Sequence, residues 1–130
     1  MKETLDYLRK CGVYYLATID NNLPKVRPFG TINEFEGKLY ILTSKQKDVS
    51  KQIQNNNNVE ICGSIGETWI RISTKLVRDD RVEAKKSMLD NLPHLRAMYN
   101  ENDDNTEVLY LEDATSTIAS FTEEPKVYKF

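Results

Sequence analysis

The fold this sequence predicts is a small, mainly β chain with short helices, its antiparallel strands closing or partly closing into a barrel. Three β-rich runs, VYYLATID, LPKVRPFGTINEF and KLYILTS, are separated only by the turn signals Asn21-Asn22 and Glu36-Gly37. Such spacing reads as an antiparallel meander. Strands outnumber helices and arrive as hairpins, which argues against a doubly wound parallel sheet. Roughly six or seven strands of this kind would expose long free edges, and closure removes them.

Taken in order, residues 2–11 place Leu5, Leu8 and Cys11 on one face of a short amphipathic helix that ends at Gly12. Asn21 and Asn22 accept positive φ, and Gly37 does so more easily, so both turns have a mechanism. From Lys47 to Asn55 the period becomes helical: Val49 and Ile53 share one face, Lys47, Lys51 and Gln54 another. NVEICGSIG then reads as a strand. WIRISTKLVRDD follows as a longer one, with Ile70, Ile72, Thr74 and Leu76 alternating against Trp69, Arg71, Ser73 and Lys75. Residues 81–92 return to helical spacing through Val82, Lys85, Met88, Leu89 and Leu92, and Pro93 closes or restarts that helix. NENDDNTE reads as a solvated loop. EVLYLED and TSTIASF read as a final strand pair.

The chain has 130 residues, enough for one domain spanning 1–130 and for a core without disulfide or metal staples. Eighteen basic against twenty acidic side chains give a formal charge of -2, which disfavours a nucleic-acid partner. No apolar run reaches the roughly 20 residues of a membrane helix. The N-terminus MKETLDYLRK carries charges where a signal peptide has its apolar core, so a cytoplasmic protein without membrane association is expected. Cys11 and Cys62 lie far apart and outside any paired pattern. They are expected to be unpaired, structural, apolar-like thiols.

Few constellations carry chemistry. The single histidine, His94, follows Pro93, and no nucleophile elbow accompanies it. One histidine and two distant cysteines do not make a metal site, and Glu101 to Asp104 lacks the glycine and spacing of a calcium loop. The informative segments are RPFG (27–30) and TSKQKDVSKQI (43–53). A strand ending in Thr43-Ser44 runs into a short helix, whose N-terminus offers free N–H groups to an anion. Ser44 could cap that helix or donate to the anion. Lys47 and Lys51 would lie on one helical face with Arg27 on a neighbouring strand, so an anion between them would relieve their repulsion. A solvated basic face is the alternative. Neither a dinucleotide fingerprint nor a P-loop is present.

YYLATID, KVRPFG, GKLYILTS, KDVSKQIQNNNNVEI, TWIRISTK and TIASFTEEPKVYKF, in this order, resemble the pyridoxamine 5′-phosphate oxidase-like family, in particular its short stand-alone flavin-binding members. The resemblance spans about residues 5–130 and rests on the order of the motifs. It implies a split β-barrel that forms a homodimer and holds flavin mononucleotide (FMN) in a cleft between subunits. By motif, Arg27, Pro28 and Phe29 would lie along the flavin. Thr43 and Ser44 would meet the ring edge or the ribityl-phosphate tail, and Lys47, Lys51 and Gln52 would hold the phosphate or the polar ring edge. Trp69 would be a core or interface anchor, or else stack on the flavin.

The chain departs from the longer oxidases of that family by stopping after EEPKVYKF, without their arginine- and tryptophan-rich C-terminal segment. Pyridoxamine 5′-phosphate is therefore not the expected substrate. The resemblance implies an FMN-dependent oxidoreductase acting by hydride transfer on a small molecule, a nitro or quinone-like acceptor among the options, since related short proteins include nitroimidazole-resistance reductases. The alternatives are a non-enzymatic flavin-storing or sensing protein, and a split barrel that binds haem or a deazaflavin.

Overall fold

The structure, a computed structural model, describes residues 1–130. In chain order the elements are α1 (Lys2–Cys11), β1 (Tyr14–Asp20), β2 (Leu23–Phe29), β3 (Asn33–Phe35), β4 (Lys38–Ser44), α2 (Asp48–Asn55), β5 (Asn58–Ile65), β6 (Thr68–Asp79), α3 (Val82–Asn91), a 3-10 helix (Pro93–Ala97), β7 (Thr106–Ser120) and β8 (Lys126–Lys129). All strands belong to one antiparallel sheet in the order β2-β1-β5-β6-β7-β4-β3, with β8 added to β7. No helix is long and apolar enough to cross a membrane.

Local chemistry accounts for the elements. In α1, Leu5 and Leu8 are buried, and Gly12 at φ 76 stops the helix with its N–H donating to the Leu8 carbonyl. Asn21 and Asn22 both have positive φ (49° and 69°), as do Glu36 and Gly37 (50° and 75°). Two left-handed residues in succession give the turn whose twist matches the flanking strands, so β1–β2 and β3–β4 are tight hairpins.

The meander nevertheless breaks. LPKVRPFGTINEF is two strands, because Gly30 to Ile32 leave the sheet, and the two hairpins sit at opposite ends of the strand order. Curling of the sheet brings those ends back together at Thr31. Its carbonyl accepts from Tyr14 Oη of β1 at 2.6 Å, and its Oγ1 accepts from the Leu42 N–H of β4 at 3.0 Å. One residue thus bridges both sides of the split in the barrel.

The expected final strand pair is one continuous strand. β7 runs beside β6 from Thr68↔Ser120 to Asp79↔Val108. The turn-like Asp113 adopts φ 52 where the register shifts between Ser73 and Lys75. A bulge bends a strand without reversing it, and that is the outcome here. With β3 separated from β2 and β8 added at the C-terminus, the strands number eight and not the expected six or seven.

The barrel interior holds Tyr14 and Leu16 of β1, Leu39 and Ile41 of β4, Val59 and Ile61 of β5, Ile70, Ile72 and Leu76 of β6, and Leu109 and Leu111 of β7. α1 adds Leu5 and Leu8; α2 adds Val49 and Ile53. A second cluster lies outside the barrel, where Ala84, Met88 and Leu89 of α3 cover Tyr40, Leu42 and Val108. Val82 of the same helix is exposed, contrary to the sequence reading.

Candidate functional site

Successive interior side chains of a strand lie two residues apart. Following these columns past the apolar core leads to Thr18 after Leu16, Thr43 after Ile41, Arg78 after Leu76 and Glu107 before Leu109. The interior thus ends in a polar layer. α2 covers that layer with Ser50 and Gln52, both buried.

Within the layer, Arg78 pairs through Nε with Glu107, whose side chain is 0% exposed. Glu107 falls by sequence where the loop NENDDNTE and the strand EVLYLED overlap. It belongs to the strand, in register with Thr43 across the β4–β7 ladder, and faces the interior. On the other side, Arg27 of β2 donates through Nη1 to the Leu16 carbonyl at 3.1 Å and to Thr18 Oγ1 at 2.7 Å. Its Nη2 donates to Gln52 Oε1 at 2.7 Å, and Thr18 Oγ1 donates to the same oxygen at 2.6 Å. Burial lowers the pKa of this guanidinium.

Three buried side-chain oxygens have no partner: Thr43 Oγ1, Ser44 Oγ and Glu107 Oε1. A buried polar atom left unpaired costs roughly 1–3 kcal/mol, so each calls for a partner that the chain itself does not supply. Thr43 is one of the residues lining a cleft of about 210 Å³, with Arg27, Pro28, Phe29, Gly30, Thr31, Leu42, Lys47, Val49, Leu95 and Tyr99. The cleft lies at the split in the barrel. Its charged lining residues are Arg27 and Lys47, and no carboxylate lines it.

The cleft thus gathers Arg27, Pro28, Phe29, Thr43 and Lys47, and Gln52 is tied to it through Arg27. Ser44, Lys51 and Trp69 are not among its lining residues. Ser44 is on the opposite face of β4 from Thr43 and does not cap α2. The N-cap is Lys47, in extended conformation and without a side-chain capping bond. Because Lys47 precedes the first helical turn, it does not share a helical face with Lys51 as the spacing implied. Trp69 packs edge-on against Phe121, ring centroids 4.9 Å apart, and lines a shallow depression on the outer face of β5–β6–β7 with Glu60, Arg71 and Thr117.

Sequence reasoning missed Leu95 and Tyr99, whose approach to the cleft depends on how the β6–β7 connection folds, and Thr18, Arg78 and Glu107, which only barrel closure brings to α2. His94 is exposed and does not line the cleft. Both cysteines are free, but only Cys11 is partly covered; Cys62 is exposed on the outer face, which corrects its reading as a structural thiol. A larger depression of about 490 Å³ lies between α1 and α3. Its buried polar residue, Asn33, is already bonded to Ser87 and Asn91.

The lining fits a flavin phosphate and ring in kind. Lys47 and the N-terminal amides of Asp48 and Val49, which have no backbone acceptor, offer an anion site, and the buried Thr43 hydroxyl in the cleft wall is without a partner. Phe29, Leu42 and Val49 offer apolar surface. Asp48, exposed in the same turn, places a carboxylate nearby. In size the cleft falls below the ~300–1,000 Å³ of ordinary ligand pockets, so one chain encloses only part of such a group.

No protein-family model matches the sequence, and no curated protein does. Among solved structures, a NimC/NimA family protein from Clostridium acetobutylicum superposes with a TM-score of 0.97 at 41% identity, over 100% of this chain and 92% of that one. A protein from the same organism related to general stress protein 26, of the pyridoxinephosphate oxidase family, aligns at 10% identity and TM-score 0.74 over 99% of this chain and 93% of its own. A heme binding protein from Mycobacterium smegmatis aligns at 12% identity and TM-score 0.73, over 97% of this chain and 55% of that one. The last two share the fold.

Proposed function

The chain belongs to the NimC/NimA family of pyridoxamine 5′-phosphate oxidase-like split barrels, and we propose that it binds FMN in the cleft between β2, β4 and α2 and acts as an FMN-dependent oxidoreductase on a small molecule. The observation that carries this reading is a cleft with Arg27 of β2 and Lys47 at the start of α2 as its charged residues and a largely apolar remainder, in whose wall the buried Thr43 hydroxyl has no partner. Bound flavin would supply hydride chemistry that no side chain of this protein offers. The chain's part is to bind and orient. Lys47 and the free amides of α2 hold the phosphate, and Thr43 hydrogen-bonds a polar edge. Phe29, Leu42 and Val49 exclude water from the ring. Arg27 acts chiefly from behind, fixing Gln52 and α2 against β1.

A second copy of the chain completes the site. The outer face of the sheet carries Pro28, Tyr15, Cys62, Arg71 and Thr117 in one cross-strand row and Val26, Ala17, Glu60 and Ser73 in the next. Tyr15, Val26 and Phe121 expose 50%, 67% and 87% of their surface there, more apolar area than an isolated sheet face leaves to water without a use. Pro28 belongs to both this face and the cleft, so a partner docked on the face would also wall the cleft. Such a pair should bury upwards of roughly 2,000 Å² in total.

The test is the absorption spectrum of the purified protein before and after adding FMN, with light scattering at micromolar concentration. A flavin spectrum, a dimer, and turnover of a nicotinamide donor with an artificial acceptor are expected. A Soret band in place of the flavin bands would overturn the cofactor assignment. Flavin binding without any turnover would leave a storage or sensing protein. A stable monomer would defeat the shared cleft.

A further inference from the structure

The depression of about 490 Å³ between α1 and α3 falls within the size range of ordinary ligand pockets and shares only Gly30 with the cleft. Part of its lining is an open sheet edge. β3 pairs with β4 alone, so alternate residues along it turn their N–H and C=O groups away from the sheet. The link 30–32, which leads into β3, continues that edge. The N–H and C=O of Gly30 and of Ile32, and the C=O of Gly12, have no hydrogen-bond partner in the chain. All three residues line the depression. Backbone groups are rarely left unpaired, and a run of them along an edge is what an extended peptide pairs with. Gly30 is also bare without local cause. Its φ is not positive, and an added Cβ would meet only the Gly12 carbonyl, at an ordinary 3.6 Å.

The side chains add charge and shape to this edge. Arg9 of α1 and Glu34 of β3 both line the depression, and neither enters an ion pair. Asn33, 1% exposed, donates to Ser87 Oγ at 3.1 Å and accepts from Asn91 Nδ2 at 2.6 Å. Asn91 therefore keeps its Oδ1 as a free acceptor. Leu5, Leu8, Ile32 and Leu92 supply apolar surface. We infer that this depression binds a short zwitterionic peptide with an aliphatic side chain, of dipeptide size, laid along the open edge of β3. Arg9 takes the carboxylate and Glu34 the ammonium, each by charge-assisted hydrogen bonds. The peptide amide pairs with the free backbone groups of 30–32, and the aliphatic side chain is buried against the leucines. A ligand with one charge leaves the other protein charge covered and unpaired, so selection favours the zwitterion. This site stands independently of the flavin reading.

The experiment is a calorimetric titration with glycyl-L-leucine of wild type, Arg9→Gln, Glu34→Gln, Gly30→Ala and the control Lys10→Gln. A parallel titration of wild type uses N-acetyl-L-leucinamide, which keeps the side chain and amides but carries no charge. Thermal melting of each variant checks that the fold is intact. The expected result is saturable binding of one dipeptide per chain, about tenfold weaker in Arg9→Gln and in Glu34→Gln. Gly30→Ala should weaken it as well, because its methyl stands where the peptide backbone approaches. Lys10→Gln should behave as wild type, and the capped ligand should bind wild type at least about tenfold more weakly than the zwitterion. An excess of FMN should leave the dipeptide affinity within about threefold. No saturable binding by wild type up to about 10 mM dipeptide would overturn the assignment. Equal binding of the capped ligand, or unchanged affinity in both charge variants, would overturn it too. Displacement of the dipeptide by FMN would place the peptide in the cleft and defeat a separate site, leaving the flavin reading untouched.

Discussion

Arg27 Nη2 donates to Gln52 Oε1 at 2.7 Å, and this bond joins the edge strand β2 to the helix α2. It also settles which way the Gln52 amide points, since a guanidinium can only donate. With Nη1 committed to Leu16 and Thr18, the arginine is bound mainly to its own protein.

Replacing Arg27 with alanine should therefore act on the scaffold. Gln52 Oε1 and the Leu16 carbonyl lose a charged donor, and stability should fall by about 1–3 kcal/mol. FMN and riboflavin should weaken by the same factor in a parallel titration. Arg27→Lys should be only a partial rescue, because an ammonium cannot span three acceptors in fork geometry. A loss confined to FMN would show that Arg27 grips the phosphate instead.

Lys47 lines the cleft and Lys51 does not, so their roles should separate. Lys47→Ala is expected to weaken FMN by about ten- to hundredfold, one charge-assisted bond being worth roughly 1.5–3 kcal/mol. Riboflavin, which has no phosphate, should be unaffected. Lys51→Ala should change neither. Asp48→Asn should tighten FMN, by removing a carboxylate from the turn that receives the anion. Lys38 would be a poor control, since its ammonium lies 4.1 Å from the Tyr110 ring centre; the exposed Lys10 serves better.

Thr43→Val should move stability and binding in opposite directions. Its Oγ1 is buried and unpaired, so an isosteric methyl removes a polar group that gains nothing in the apoprotein. Denaturant unfolding of the apoprotein should show an unchanged or raised midpoint, while flavin binding weakens. A destabilised valine variant would mean that the hydroxyl already has a partner, such as a trapped water shared with Glu107.

Acid should unfold this protein partly through Asp79. Arg81 donates to both its carboxylate oxygens, the nearest at 2.9 Å, and Tyr40 donates at 2.8 Å, which together lower its pKa to about 2. The unfolded value is near 3.9, so the folded state binds this proton less readily. Its contribution is complete above about pH 4 and is lost as pH falls toward about 2. Asp79→Asn should flatten stability across that window, measured by urea unfolding at successive pH values. Tyr40, raised to about 12 by burial and by its bond to Asp79, stays protonated throughout.

The two thiols should differ in reactivity. Burial raises the Cys11 pKa, and its Sγ lies close to Gly63; Cys62 is exposed. A thiol reagent should modify Cys62 first, and Cys62→Ser should leave stability within about 0.5 kcal/mol. If a second copy covers the outer face, modification of Cys62 should slow as protein concentration rises. Concentration-independent labelling would argue that this face stays open.

The sequence by itself determined the local elements: the helix that ends at Gly12, the hairpins at Asn21-Asn22 and Glu36-Gly37, and the in-out alternation of Ile70, Ile72 and Leu76. These follow from periodicity and from residues that tolerate positive φ, which act over a few positions. The motif order also pointed to the family. Tertiary structure alone decided the rest. Asp113 looked like a turn in isolation, yet β6 pairs along both halves of β7 and the chain bends there without reversing. Glu107 stood where the predicted loop and strand overlap, and only barrel closure turns it inward to pair with Arg78, 29 residues away. Lys47 and Lys51 looked equivalent by spacing, yet the helix begins only at Asp48 and divides them. Leu95 and Tyr99 carried no signal, because their meeting with Phe29 and Thr43 at the cleft depends on closure of the sheet and docking of the β6–β7 connection. Long-range contacts of this kind depend on how elements pack, and no window of neighbouring residues contains that information.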